Sequence, residues 1–248
     1  MLQITRLTKS FNTGTALEVN AVKAVDFTLE SGSFALLLGS NGSGKSTVLN
    51  LLAGTISPDD GEIFLNGQSI RKLPEYKRSA FISRIFQDPA MGTSPDLSLI
   101  ENFRIASLRK KRKGLKTGIN TAFKKEVEEK LSGLEMQLES RMHQPMRSFS
   151  GGQRQAMALL MATFEPPDLL LLDEPAAALD PKAAAVVKNL IAKIIADQKI
   201  TALMVTHDLK HCLELGDRII QMQGGEIIRN ISGAAKEQLS FPEIYSWF

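Results

Sequence analysis

Gly39-Ser40-Asn41-Gly42-Ser43-Gly44-Lys45-Ser46 fits G-x-x-x-x-G-K-[ST], the pattern of a phosphate-binding loop. Just upstream, Phe34-Ala35-Leu36-Leu37-Leu38 is a short apolar run of buried-strand type. Downstream, Lys45 to Ala53 reads as a helix that Gly54 stops. Strand, glycine loop and helix in that order make an anion trap. The glycines let successive backbone N–H groups turn inward on a phosphate chain. The helix N-terminus adds partial positive charge. Gly39 to Thr47 form the cradle, Lys45 supplies a point charge for the β- and γ-phosphates, and the Ser46 hydroxyl can ligate Mg²⁺. An ordinary Gly/Ser-rich turn would carry similar letters, but chance produces the four fixed positions in roughly one chain of this size in a hundred.

Outward from the loop, composition sets bounds. A chain of 248 residues can bury a full core; it is long for one domain and short for two. A net charge of +3 is too small to argue for nucleic acid. The single cysteine, Cys212, excludes an internal disulfide framework. No apolar stretch approaches the ~18 residues of a membrane span. Met1-Leu2-Gln3-Ile4-Thr5-Arg6 lacks the basic start and apolar core of a signal peptide. These features predict a cytosolic chain whose link to a membrane runs through a partner.

The first half alternates like half-buried strands at Leu2 to Leu7 and Val22 to Leu29. Glu62 to Leu65 is a strand ending in the hairpin turn Asn66-Gly67, and Ala80 to Phe86 is another apolar run. The middle has helical spacing at Leu97 to Leu108 and Ala122 to Leu138, the second with a Phe123, Val127, Leu131 and Leu134 stripe. Residues 88–160 thus read as a helical lobe inserted into an α/β core made of 1–87 and 161–248. In the last third Leu169 to Leu172 and Thr201 to Val205 are fully buried strands. Lys182 to Ala196 and Leu209 to Leu215 are helices, and Arg218 to Met222 pairs with Glu226 to Ile231 as a hairpin. Buried strands alternating with helices imply a parallel sheet covered on both faces.

Two further motifs carry chemistry. Leu169-Leu170-Leu171-Leu172 ends in Asp173-Glu174-Pro175. A carboxylate at the tip of a buried strand, Asp173, can hold a Mg²⁺ shell beside the loop. Glu174 can then orient or deprotonate an attacking water. Ser150-Gly151-Gly152-Gln153 opens a helix and forms a second anion-binding helix start, or a plain N-cap by Ser150. One nucleotide needs one cradle, so a second one suggests that each subunit completes its partner's site.

On these motifs the chain resembles the ATP-binding subunit of ABC transporters, over nearly its whole length. The resemblance implies a P-loop NTPase core with a mixed sheet, an antiparallel β subdomain and an inserted α-helical subdomain. Ser150-Gly151-Gly152-Gln153 looks like the family signature, with Phe149 in place of the usual leucine. Gln87 falls at the Q-loop glutamine, which senses the γ-phosphate and Mg²⁺. Ala177-Ala178-Leu179-Asp180 matches the D-loop and His207 the H-loop histidine. Phe11 lies where an aromatic ring stacks on adenine. The implied catalytic residues are Glu174, His207 and Gln87, the implied metal-shell residues Ser46, Gln87 and Asp173. The implied cofactors are ATP and Mg²⁺. Implied partners are a second copy or a paralogous ATPase subunit, transmembrane permease subunits and, indirectly, a substrate-binding protein, at the cytoplasmic face of the inner membrane.

The segment Pro89 to Asn102 is similar to that of importers for amino-acid-type substrates. A lipoprotein-release or export ATPase shares the same subunit layout. A soluble ATP-gated clamp and a nucleic-acid-associated ATPase are the alternatives outside transport, the second supported only by the basic run Arg109 to Lys116. That run reads as a solvated loop or as a contact for lipid headgroups or an acidic partner. His207 and His211 stand four apart, as zinc ligands on one helix face would, but no Glu completes H-E-x-x-H. The tail Phe241 to Phe248 is unusually aromatic; it reads as packing back onto the domain or as a dimer contact.

Overall fold

The computed structural model describes residues 1–109 and 118–247. Of the basic run only Arg109 falls among them, and the side chain of His211 lies outside the described residues. The chain opens with two long strands, β1 (Leu2–Phe11) and β2 (Val19–Leu29), then β3 (Phe34–Leu38), the loop, and α1 (Lys45–Ala53). A hairpin, β4 (Asp60–Leu65) and β5 (Gln68–Ser69), turns on Asn66 and Gly67, both at positive φ. Next come α2 (Glu75–Arg78), β6 (Ile82–Ile85), α3 (Leu99–Ala106), α4 (Thr121–Ser132) and α5 (Gly151–Ala162). The last third holds β7 (Leu169–Asp173), α6 (Pro181–Gln198), β8 (Ala202–Val205) and α7 (Leu209–Glu214). The hairpin β9 (Arg218–Gln223) and β10 (Glu226–Ser232) and two short helices, α8 (Ala234–Glu237) and α9 (Phe241–Tyr245), end it.

Two sheets result. The small one is antiparallel in the order β2-β1-β4-β5. The large one runs β10-β9-β3-β8-β7-β6, parallel except for the antiparallel edge strand β10. In β3, β7 and β8 successive side chains enter different cores. Leu36, Leu38, Leu170, Leu172 and Met204 join the helices on one face. Ala35, Leu37, Leu171, Leu203 and Val205 join α1 and the small sheet on the other. Each such Leu or Val is worth about 1.5–3 kcal/mol on full burial. That two-sided demand is why these strands read as unbroken apolar runs.

The helical lobe is continuous with the first of these cores. Phe123, Val127 and Leu131 sit in the same cluster as Leu170 and Leu172. Two expectations of extent need correction. The second helix of the lobe ends at Ser132, not Leu138. Gly133 follows, and Glu135 and Gln137 adopt positive φ, which no helix accommodates. Leu134 still packs against the cluster, but from outside the helix. The first strand runs to Phe11 rather than stopping at Leu7, because β2 continues beside it as far as Val19. Asp59 also holds this end, accepting from Lys9 Nζ and Ser10 N at 2.7 Å each. The aromatic tail folds back on the domain through the fully buried Ile244. The Trp247 carbonyl also accepts from Gln221 Nε2 at 3.1 Å, while Arg229 covers the indole.

Candidate nucleotide site

The loop between β3 and α1 is wedged between the two sheets. A β-carbon on Gly39 (φ +152) would lie 2.3 Å from the Met222 carbonyl of β9. One on Gly44 (φ +103) would lie 2.3 Å from the Ala21 carbonyl of β2. Only glycine fits either place, both for space and for backbone angle. Gly225 N donates to Ser43 O at 3.2 Å, so the β9–β10 turn ties the loop from its far side. The lysine folds back over the loop: Lys45 Nζ donates to Gly39 O and Ser40 O, each at 2.8 Å. Burial pushes the Lys45 amine down, and the nearby Glu174 and Asp173 carboxylates push it back up.

The start of α1 differs from those of the other helices at the site. Its N-cap residue, Gly44, has no side chain to offer, so the first N–H groups of Lys45, Ser46 and Thr47 find no cap. By contrast Ser150 caps α5 with Gln153 in a reciprocal capping box, at 3.3 and 3.1 Å. Asp180 caps α6, accepting from Lys182 N and Ala183 N at 3.1 and 3.0 Å. Within the loop Ser43 Oγ is buried without a hydrogen-bond partner. An uncapped helix start, an orphan hydroxyl and a glycine-only cradle fit a bound phosphate chain. Ser40, Asn41, Gly42 and Ser46 are exposed on the open side. The Ser46 hydroxyl and the Asp173 carboxylate are hard oxygen donors of the kind Mg²⁺ takes.

Both carboxylates stand at the end of β7, beside the loop strand's neighbour β8. Asp173 Oδ2 accepts from Arg84 Nη2 at 2.8 Å. Glu174 has φ +46, a strained value for a residue with a β-carbon, and its N–H donates to Val205 O at 3.1 Å. That twist turns Glu174 away from Asp173 and brings its Oε2 to 2.8 Å from His207 Nδ1. Glu174 is largely buried and His207 largely exposed, with side-chain exposures of 19% and 64%. The imidazole orients one oxygen of the carboxylate, which has a second oxygen to offer a water. Gln87 is exposed just past β6 and lines one cavity with Asp173, Arg84, Asn50 and Ala178.

Not every expected residue gathers in this place. Ser150–Gln153 pack toward the segment after β7: a β-carbon on Gly152 would strike Ala183, and Gly151 lies near Leu179. They do not line the cavity that joins Gln87 to Asp173. Phe11 ends β1, half-exposed, paired with Val19 two residues from Ala21. Its ring therefore stands on the strand pair that touches Gly44, with Lys9 Nζ 5.7 Å from its centroid. Sequence reasoning passed over Arg84, which also donates from Nη1 to Asn50 Oδ1 at 2.7 Å. The available signal was a lone cation inside the apolar run Phe81-Ile82-Ser83-Arg84-Ile85-Phe86, which demands a partner. Among the described residues no cluster of His, Cys, Asp and Glu suits a separate metal ion.

Comparison with known proteins gives this geometry a family. The ABC transporter family profile matches residues 22–177. A tyrosine transport ATP-binding protein of Clostridioides difficile is 40% identical over 248 residues, covering 100% of this chain and 98% of that protein. The ATP-binding cassette MJ0796, described as a bacterial ABC transporter cassette and solved as a dimer, aligns with a TM-score of 0.79 at 28% identity. A second dimeric structure of it, in a post-hydrolysis state bound to ADP and Pi, aligns equally well, covering 94% of this chain and 98% of that one. A nucleotide-free cassette from an ABC transporter, at 24% identity and a TM-score of 0.76, covers 99% of this chain and 98% of its own; it adds likeness of fold. Because the likeness runs from one end to the other and takes in the loop, both carboxylates and the helical lobe, this chain belongs to the ABC transporter family, as an ATP-binding, Mg²⁺-using, ATP-hydrolysing subunit.

Proposed function

We propose that two copies of this chain, or one copy and a paralogue, close around two ATP molecules. Each nucleotide then lies on Gly39–Thr47 of one copy and faces Ser150–Gln153 and Asp180 of the other. Supporting this, the loop is an uncapped cradle while Ser150–Gln153 are not among the residues that line the Gln87–Asp173 cavity of their own chain. The ring of Phe11 stacks on the adenine, and Ser46, Gln87 and Asp173 hold Mg²⁺. The ion, when bound, neutralises charge on the β- and γ-phosphates. Lys45 swings from the loop carbonyls to the phosphates, exchanging two neutral acceptors for charged ones. Glu174 takes the proton of the attacking water, and His207 fixes that carboxylate and contacts the γ-phosphate. Loss of the γ-phosphate removes contacts that bridge the two copies, so the pair opens.

Permease subunits dock on a groove of about 640 Å³ between β6, α2, the segment after Gln87, and the helices α3 and α5. Its rim carries Tyr76, Met91 and Ile105, all more than half exposed, an apolar lining that suits an amphipathic helix. Among the described residues no helix is long and apolar enough to cross a membrane; attachment runs through the permease, at the cytoplasmic face. Residues 88–160 act as the unit that carries motion to those subunits. The likeness to a tyrosine transport ATP-binding protein supports import of an amino-acid-type solute, with a substrate-binding protein as indirect partner.

The observation that carries the mechanism is the 2.8 Å contact between Glu174 Oε2 and His207 Nδ1 at the end of β7. The test is Glu174→Gln. The variant is expected to bind Mg-ATP with unchanged affinity, to lose at least about a hundredfold in turnover, and to elute as a dimer when ATP is present. Hydrolysis at the wild-type rate would defeat the assignment.

A further inference from the structure

Arg84 has no part in the roles assigned above, yet its guanidinium joins three pieces of the site. Nη2 donates to Asp173 Oδ2 at 2.8 Å, and Nη1 to Asn50 Oδ1 of α1 at 2.7 Å. The guanidinium carbon lies 4.8 Å from the centre of the Phe86 ring, next to Gln87. Arg84 and Asp173 are both mostly buried, with side-chain exposures of 14% and 18%. The same arginine lines two cavities, the apolar groove beside α2 and α3 and the one shared by Asp173 and Gln87. It lines both together with Glu75, Phe86 and Met91.

The neighbourhood makes the pairing consequential. Lys45 feels both Asp173 and Glu174 electrostatically. A carboxylate at the tip of β7 without another partner would turn toward that amine. An Asp173–Lys45 ion pair would occupy a metal-shell carboxylate and a phosphate-binding lysine together. Arg84 engages one Asp173 oxygen from the opposite side, and a carboxylate has a second to offer. Through Asn50 the same guanidinium fixes Asp173 relative to α1, the helix that carries Ser46.

We propose that Arg84 is a positioning residue for Mg²⁺-dependent nucleotide binding, holding Asp173 off Lys45 and in register with the start of α1. The proposal rests on the reading of Asp173 as a metal-shell residue. A charge effect alone predicts the opposite sign, since a cation beside a metal site weakens metal binding and its removal would strengthen it.

The experiment measures ADP binding calorimetrically across a Mg²⁺ titration and in EDTA, for the wild type, Arg84→Met, Arg84→Lys, Asn50→Leu and Asp173→Asn. For Arg84→Met the Mg²⁺ half-saturation point should rise about tenfold, the usual loss when a partner of a metal ligand is removed. Affinity in EDTA should stay unchanged. Arg84→Lys should recover part of the loss, and Asn50→Leu, which cuts only the link to α1, should show a smaller rise. An unchanged or lowered half-saturation point in Arg84→Met overturns the proposal, as does an equal loss with and without Mg²⁺. Should Arg84→Met fail to fold, wild-type Mg²⁺ dependence in both Arg84→Lys and Asn50→Leu overturns it instead. Asp173→Asn separates the two ideas. If it keeps normal Mg²⁺ dependence, the metal-shell reading fails; if it loses that dependence while Arg84→Met does not, only the role of Arg84 fails.

Discussion

Replacing Arg78 by methionine tests how the phosphate-binding helix is held from behind. Arg78 is 1% exposed, one of the largest fully buried side chains described. Nη1 donates to Leu51 O at 2.7 Å and Leu52 O at 3.0 Å, two carbonyls of the last turn of α1 that have no intrahelical partner. Nε donates to Leu73 O at 2.8 Å and Nη2 to Arg71 O at 2.9 Å. Burial pushes the guanidinium pKa down, yet the group remains a cation. Its charge faces the negative end of the dipole whose positive end faces the loop. Methionine fills much of the volume but strands four acceptors. At about 1 kcal/mol for each of the two buried α1 carbonyls, the low end for an unsatisfied group, and less for the two part-buried ones, the loss is about 2–4 kcal/mol. Against a typical total of 5–15 kcal/mol this is a large fraction. Urea unfolding without nucleotide should show a midpoint shifted down with the slope unchanged. Nucleotide at about 100 times its Kd should return about 2.7 kcal/mol, because it binds only the folded form. A loss below about 1 kcal/mol would refute the view that these four bonds fasten α1.

Other substitutions probe the loop and the buried thiol. Gly44→Ala drives a β-carbon into the Ala21 carbonyl at positive φ, whereas Gly42→Ala meets nothing within 4 Å and bears only backbone strain. The first should cost about 2–4 kcal/mol and weaken nucleotide binding, the second about 1–2 kcal/mol. Equal denaturation midpoints for the two would contradict the wedged placement of the loop. Cys212 is fully buried, and its thiol is pushed up to about 12, chiefly by burial, with Asp208 adding to the rise and Lys236 opposing it. Iodoacetamide at pH 8 should leave the native chain unlabelled and label it in denaturant; native labelling at the rate of a free thiol would show that the site opens.

The sequence revealed most where local chemistry decides the outcome. The bounds of β3 and α1 follow from a glycine at each punctuation point, Gly39, Gly44 and Gly54, all of which take positive φ. The hairpin at Asn66-Gly67 was legible for the same reason. Extents set by distant partners were harder to read. Lys9 and Ser10 carry no strand signal, and their place in β1 comes from β2 and Asp59. Leu134 continues the apolar spacing of α4, but Gly133 and the positive φ of Glu135 end the helix first. In the tail the aromatic letters drew attention, while the anchor is Ile244; Phe241 and Tyr245 stack on one another half-exposed or more. At the site, the loop and strand-tip motifs were legible because spacing alone defines them. Arg84 and Arg78 were not, since each works by reaching backbone or side chains far along the chain.

The lodging of Gly39 and Gly44 between Met222 and Ala21 has a further consequence. Lys23 N also donates to Gly225 O at 2.8 Å, so the small sheet is stitched to the same turn that ties the loop. The strand pair bearing Phe11 and the phosphate cradle therefore travel as one piece, with a constant span between the two. A nucleotide arriving on this half finds its seat already set, and little chain entropy is lost in receiving it. What remains to be ordered lies on the opposite side of the ligand, so closure, more than capture, is where the free energy of binding can produce movement.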